Sequence, residues 1–149
     1  MLYFHADVFC KQPMTGNGLT VIIAKAFPPH EAMQRMAQEF RQFETIFLVQ
    51  NGSNSFDARI FTVEEELDFA GHPILGAAAV VQQEFLKSSS GIVFNLKNKQ
   101  VSVNCTQQGA AYQCCMAGWL LLKPALVANF SQKASPLPGN SLCSSEVAW

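Results

Sequence analysis

The sequence predicts an α+β domain in which a curled mixed β-sheet wraps around one buried central helix. The elements follow one another as two strands, a helix, three strands, a second helix and two or three strands, which is not the regular alternation of a doubly wound sheet. The second helix, over residues 74–81, is apolar on nearly every side, which indicates burial on every side. The 149 residues, 49% of them hydrophobic, suffice for a substantial core.

The predicted strands are short runs of β-branched, aromatic and other apolar residues that end at Gly, Pro, Asn or Ser clusters. They cover residues 2–9, 19–24, 45–50, 56–63 with a continuation at 67–69, 92–96, 101–105 and, as the last strand, 112–116. From Gly118 onward the periodicity fails and prolines interrupt the chain. No strand is therefore predicted beyond that point.

Two helices are expected, and they differ in character. The first covers residues 30–40, where four apolar residues at i, i+3, i+4 and i+7 form one face. The second begins at Pro73, a residue suited to the first helical position. Its N-terminus carries unsatisfied backbone N–H groups and the positive end of the helix dipole. Such a helix start is a potential binding site for an anion.

Composition and charge narrow the possible partners. The formal net charge is −1, so no basic surface indicates a nucleic-acid partner. No apolar run approaches the ~18 residues of a membrane span, and the N-terminus does not resemble a signal peptide. The five cysteines fit neither a disulfide framework nor a zinc site. We therefore expect a cytoplasmic protein with reduced thiols, without metal and without a membrane partner.

Glu44 and His72 are the residues whose positions suit chemistry. Glu44 begins a strand that is otherwise apolar, and a carboxyl at the mouth of a core has a raised pKa that suits acid–base work. Position alone favours the alternative of a strand-start Glu that faces water. His72 lies between Gly71 and Pro73 at the start of the buried helix. For this residue, a structural and a functional role are equally supported by position.

Four further residues carry weaker signals. Asp68 alternates with apolar neighbours and is expected to point outward. His5 and Asp7 share a strand face, an arrangement that suits a pocket wall. Cys10 has no cationic neighbour pattern that would activate its thiol.

Five blocks in order resemble the PhzF-like phenazine-biosynthesis isomerases. Phe9 with residues 13–17 resembles the opening "F…P-x-x-GN", and residues 33–39 resemble the "MQ-x-IA-x-E" helix. Residues 43–48 are similar to "SET-x-F". The segments 59–62 and 66–73 are similar to "R-x-F-T…E-x-x-x-x-GH". The resemblance covers about residues 2–105, and it departs from the pattern at Gly18, where Pro is commoner.

The resemblance implies a fold like that of diaminopimelate epimerase, built from two similar halves that each wrap a β-barrel around a central helix. It implies that Glu44 is the acid/base that moves a proton on a carbon acid. Gly71 and His72 would lie in the substrate site between the halves, and we expect Pro73, Gly16 and Asn17 to bind substrate with them. Neither a cofactor nor a metal is implied.

Family members are about twice as long as this chain. We therefore expect residues 1–113 to form one N-terminal half-domain and residues 114–149 a divergent tail, truncated or shifted in frame. The expected function is isomerase or epimerase chemistry on a small carboxylated metabolite, with a homodimer that rebuilds the site. The alternative is a non-catalytic half-domain remnant that binds a ligand or a partner.

Overall fold

The computed structural model describes residues 1–10, 12, 14–86, 91–109, 111–117 and 125–130. Two helices and nine strands lie in these ranges. In chain order they are β1 (Leu2–Val8), β2 (Asn17–Ala24), α1 (His30–Phe40), β3 (Glu44–Gln50), β4 (Ser55–Phe61), β5 (Glu66–Leu67), α2 (Gly71–Glu84), β6 (Ile92–Asn95), β7 (Gln100–Gln108), β8 (Ala111–Met116) and β9 (Ala125–Phe130).

All nine strands belong to one mixed sheet. Its order is β3-β2-β1-β9-β8-β7-β6-β4-β5, and an additional pairing of β3 with β4 closes the sheet into a barrel. The pairs β2–β3 and β4–β6 are parallel, and the other pairs are antiparallel. The predicted α+β class and the curled mixed sheet are confirmed.

Helix α2 occupies the inside of this barrel. Its residues from Pro73 to Gln82 are all buried, as the all-round apolar sequence predicts. Gly76 allows the helix to approach the sheet closely, because a Cβ atom there would collide with the Leu19 side chain and lie 2.9 Å from Val8 Cγ2. Aromatic side chains from the strands fill the remaining space, among them Phe4, Phe56 and Phe94.

Helix α1 packs on the outside of the barrel. Met33 and Ala37 on its apolar face form a second cluster with Ile22, Phe47 and Phe61, which point outward from the sheet. Because successive side chains of a strand point to opposite faces, one set of residues of β2 and β3 covers α2 and the alternate set covers α1. The helix ends at Arg41, whose φ of 52° lies in the left-handed region.

Strand β9 was not predicted, and it completes the barrel between β1 and β8. The prolines on either side interrupt the sequence pattern that would predict a strand. They lie outside the strand, however, and therefore break none of its ladder bonds. Strand β8 crosses residue 113, the expected end of the half-domain. That boundary stays a prediction, and residues 118–124 and 131–149 of the expected tail lie outside the described residues.

Cys105 and Cys114 form a disulfide, so the expectation of reduced thiols throughout is wrong for this pair. The two residues are direct partners in the β7–β8 ladder, a proximity that sequence spacing does not reveal. Disulfides persist mainly in oxidising compartments. The pair therefore does not favour the expected cytoplasmic location, which stays a prediction. Neither of the two described helices is long and apolar enough to cross a membrane.

Candidate active site

One end of the barrel gathers the residues that the sequence singles out. Strand register places Val8 opposite Asn17, and Leu19 opposite Glu44. The end of β1 and the starts of β2 and β3 therefore lie side by side. Helix α2 begins at the same end, with His72 against Glu44. We call this end, formed by the β1–β2 turn, Glu44 and the first turn of α2, the mouth of the barrel.

Glu44 and His72 form a close pair at the mouth. Glu44 Oε2 lies 3.1 Å from His72 Nε2, and the two side chains are 17% and 11% exposed. Glu44 is the first residue of β3 and shares its inner face with Ile46 and Leu48, which belong to the core around α2. Neither Glu44 Oε2 nor His72 Nε2 has a well-aligned hydrogen bond within the described residues. Both atoms are buried, and they face each other.

Burial shifts the pKa of both members of this pair. Burial raises the pKa of the Glu44 carboxyl above its ordinary value, because it penalises the charged form. The same effect lowers the pKa of His72 to about 4, and a hydrogen bond with the Gly18 backbone acts in the opposite direction. The imidazole is thus neutral at neutral pH. A partly buried carboxyl with a raised pKa is well suited to take up and release a proton.

The start of α2 leaves backbone donors without side-chain caps. Its N-cap residue, Ala70, is extended and makes no side-chain hydrogen bond, and no acidic residue lies in the first turn. Among the described residues, no side chain caps the N–H groups of Gly71 and His72, which are therefore available to a ligand anion. A Cβ atom on Gly71 would make only an ordinary contact, 3.5 Å from Met116 Cε. Pro73 is the third helical residue rather than the first, and it is buried.

The β1–β2 turn is held by a buried carboxylate. Asp7 Oδ2 accepts the backbone N–H of Thr15 at 3.0 Å, and Asp7 Oδ1 accepts that of Gly16 at 3.0 Å. A Cβ atom on Gly16 would collide with the Val8 carbonyl oxygen and lie 2.7 Å from Asp7 Oδ1, so only glycine fits. The predicted substrate-binding residues Gly16 and Asn17 thus lie at the mouth. However, the Gly16 N–H is already engaged by Asp7.

Other residues from the sequence analysis lie elsewhere. His5 and Asp7 do line a cavity together, of about 420 Å³, which lies on the outer face of β1 with Gly18 and Gln42. Asp68 is exposed, as predicted. Cys10 is buried, and its thiol donates a hydrogen bond to the Asp7 carbonyl oxygen at 3.2 Å. In the part of the chain that the structure describes, no group of His, Cys, Asp and Glu residues could hold a metal ion.

The turn-holding role of Asp7 was missed by sequence reasoning. The usable signal was an acidic residue on a strand just before a Gly- and Asn-containing turn, since carboxylates readily accept backbone N–H groups there. Among the hydrogen bonds and ion pairs of the described residues, none joins Asp7 to Glu44 or His72. It supports the mouth by fixing the turn.

A closed barrel around a buried helix, with a carboxyl–imidazole pair at the helix start, defines one half of a diaminopimelate epimerase-like fold. The family model for phenazine biosynthesis-like proteins, PhzC-PhzF, matches residues 6–118. The chain belongs to this family. A probable proline racemase of Agrobacterium radiobacter, 10% identical with a TM-score of 0.50, shares the fold over 76% of this chain and 41% of its own.

Several family relatives align with most of this chain. An uncharacterized isomerase of Mesorhizobium japonicum is 35% identical over 74% of this chain and 38% of its own length. The trans-2,3-dihydro-3-hydroxyanthranilate isomerase of Pseudomonas chlororaphis is 37% identical over 68% of this chain and 39% of its own. A solved structure from Pseudomonas aeruginosa, described as a predicted epimerase, is 40% identical with a TM-score of 0.72.

The match to the Pseudomonas aeruginosa structure covers 77% of this chain and 42% of that chain. A PhzC/PhzF protein of Clostridium difficile is 30% identical with a TM-score of 0.66, over 76% of this chain and 42% of that one. The chain thus spans about two fifths of the length of the relatives that it matches. The relatives confirm the family and the half-fold.

The burial of His72 predicts a specific pH dependence of stability. Between pH 6.5 and about 4 the unfolded chain binds a proton at His72 that the native chain does not, so the free energy of unfolding falls as pH falls through this window. The contribution is up to about 3 kcal/mol. The raised pKa of Glu44 changes the free energy of unfolding with pH in the opposite direction and offsets part of the His72 contribution.

We expect His72→Asn to flatten this dependence, measured by urea unfolding at pH 7 and pH 4.5. The exposed His30 supplies the matched control, and His30→Asn should keep the slope of the parent chain. An unchanged pH dependence in His72→Asn would contradict the buried, neutral imidazole.

Proposed function

We propose that this chain catalyses isomerase-type proton transfer on a carbon of a small carboxylated metabolite, with Glu44 as the acid/base. The observation that carries the proposal is the 3.1 Å Glu44–His72 pair beside the uncapped start of α2. Membership of a family whose relatives include named isomerases supports the reaction class. The pair supplies a proton carrier, and the helix start supplies a place for an anion.

Each part of the mouth has a role in this mechanism. The substrate carboxylate accepts the free N–H groups of Gly71 and His72, where the helix dipole favours negative charge. The Glu44 carboxyl then exchanges a proton with the neighbouring substrate carbon. The same N–H groups stabilise the negative charge that develops when a carbon loses its proton to Glu44. The neutral His72 ring orients the Glu44 carboxyl without adding a competing positive charge.

The substrate class follows from the helix start and from the relatives. A helix N-terminus without an acidic side chain selects for a negatively charged group. Two Pseudomonas relatives are named trans-2,3-dihydro-3-hydroxyanthranilate isomerases, and their named substrate carries a carboxylate. We therefore take this compound as the probe for activity and a carboxylated carbon acid as the general class.

Replacing the proton carrier should abolish turnover. We expect Glu44→Gln to lower kcat for trans-2,3-dihydro-3-hydroxyanthranilate by ~10²–10⁴-fold, the range that general acid–base catalysis contributes. The matched control is Glu84→Gln, at the opposite end of α2, which should retain the parent rate. Isomerisation is followed by the change in substrate absorbance. Full activity of Glu44→Gln would contradict the assigned role.

A second copy of the chain is proposed as the partner that covers the mouth. Three large apolar side chains surround it in exposed positions: Phe9 is 52% exposed, Met14 87% and Phe43 70%. Exposed apolar side chains grouped at one place are typical of a binding surface. The aligned part of the chain is 38–39% of the length of these relatives, and a second copy of the chain is a direct way to enclose the site.

Association through the mouth should depend on Phe43. We expect the parent chain to sediment as a dimer and Phe43→Asp to sediment as a monomer, because the charge opposes burial of this surface. Phe85 is also exposed but follows the other end of α2, so Phe85→Asp should leave the dimer intact. A parent chain that is monomeric at all concentrations, or a dimeric Phe43→Asp, would contradict the proposed interface.

The same apolar surface favours the second candidate function, a non-catalytic half-domain that binds a partner. In that case the mouth binds another protein or a ligand, and Glu44 is only a buried carboxyl. The two candidates differ in the turnover experiment. A chain that associates through the mouth but shows no isomerisation by either the parent or Glu44→Gln would establish the second candidate.

A further inference from the structure

Three cross-strand pairs follow one another along the inner face of the β7–β8 hairpin. Successive pairs are two residues apart on each strand, so they share that face. In order from the mouth they are Val103–Met116, Cys105–Cys114 and Gln107–Tyr112. The middle pair is the disulfide. It therefore has one neighbouring pair on the side of the mouth and one on the side of the opposite end of the barrel, which we call the far end.

A cavity of about 340 Å³ lies at the far end, directly beside the disulfide. Gln82 and Leu86 line it from the end of α2, and Gln107 and Tyr112 line it from the hairpin. Of the two bonded cysteines, Cys105 is the one that lines the cavity. Because Gln107 is exposed, the cavity connects the disulfide with solvent.

The size of this passage limits what can reach the disulfide. Cys105 is 4% exposed and Cys114 is 1% exposed, so a folded protein cannot bring its own thiol against the S–S bond. A small molecule that enters the cavity lies next to Cys105. Gln107 and Tyr112 give the wall polar side chains, which suit a polar thiol.

We propose that the Cys105–Cys114 disulfide is a redox-sensitive clamp, which a small polar thiol opens from the far-end cavity and which changes the packing of Met116 at the mouth. The thiolate of the small molecule attacks the Cys105 sulfur and forms a mixed disulfide, and Cys114 leaves as a thiolate that takes up a proton. A second small thiol attacks the mixed disulfide and releases Cys105. Two small thiols are thereby oxidised to their own disulfide, and the protein disulfide is reduced to two thiols.

Met116 connects the clamp with the mouth. It follows Cys114 by two residues on the same face of β8, and its Cε atom lies 3.5 Å from the place that a Cβ atom on Gly71 would take. Reduction replaces one S–S bond by two non-bonded sulfur atoms, which need a larger separation. Because the core around α2 is closely packed, the neighbouring pairs must adjust. Met116 and the start of α2 are thus the expected places of change.

The first test maps the exchange in the full, folded, oxidised chain with reduced glutathione as the probe. Free thiols are alkylated at successive times, and the cysteines are assigned by mass spectrometry. We expect the first mixed disulfide at Cys105, with Cys114 alkylated, and a rate that low concentrations of urea do not change. Gln107→Trp fills the cavity and should slow the exchange ~10-fold or more, since the rate depends on access.

Asn104→Trp is the matched control, because Asn104 is exposed on the outer face of the same strand and should keep the parent rate. Absence of the disulfide in the oxidised chain, a first mixed disulfide at Cys114, or an equal rate in Gln107→Trp would overturn the proposal. A rate that rises steeply with urea would also overturn it, because reduction would then require unfolding. The mapping and the urea dependence need no variant.

The second test compares the oxidised and reduced chain by NMR with labelled methionine methyl groups. We expect the Met116 methyl signal to shift on reduction. Met33, in the cluster beneath α1, is the internal control and should keep its signal. An unchanged Met116 signal, or an equal change at Met33, would overturn the proposal. Neither test requires turnover, so a failure of the proposed function would leave this clamp standing.

Discussion

The burial of α2 inside the closed barrel is the constraint on which the rest of the structure depends. Because residues Pro73 to Gln82 are enclosed on all sides, the helix must enter the barrel through one end, and its N-terminus must lie at that end. Gly76 sets the depth and closeness of the helix against Val8 and Leu19. The position of His72 follows directly from this packing.

The same packing brings Glu44 to His72 and sets the electrostatics of the pair. Leu19 contacts α2 near Gly76 and is also the register partner of Glu44, so helix, β2 and β3 are fixed relative to one another. Burial is the principal cause of both pKa changes, in opposite directions for an acid and a base. A site on a flexible loop would have neither the fixed 3.1 Å separation nor the restricted access of water.

The helices and most strands were predictable from the sequence, and the pairing of the strands was not. The all-round apolar helix indicates a surrounding sheet. The position of Glu44 alone favoured a residue that faces water, and the family motif indicated its place in the site. His72 was found from its place before Pro73 together with family motifs. Local periodicity cannot reveal the β3–β4 closure, strand β9 or the Cys105–Cys114 disulfide, because each depends on which strands pair and in which register.

The site itself was only partly predictable for the same reason. The engagement of the Gly16 N–H by Asp7 depends on how the β1–β2 turn folds back over the barrel. The sequence marks this segment as a turn but does not show which N–H and carbonyl groups it uses internally. The exposed Phe9, Met14 and Phe43 lie in the segments next to the mouth, after β1, before β2 and before β3.

The central claim is that Glu44, held at the mouth by the buried helix, carries the proton that moves on the substrate. Isomerisation of trans-2,3-dihydro-3-hydroxyanthranilate in D₂O, followed by NMR, tests it most directly. In D₂O, we expect the proton that Glu44 carries at the open mouth to exchange with solvent deuterium before it is delivered to the substrate. We therefore predict that the carbon that gains a proton carries deuterium in the product. A product formed at full rate without deuterium at that carbon would contradict the account.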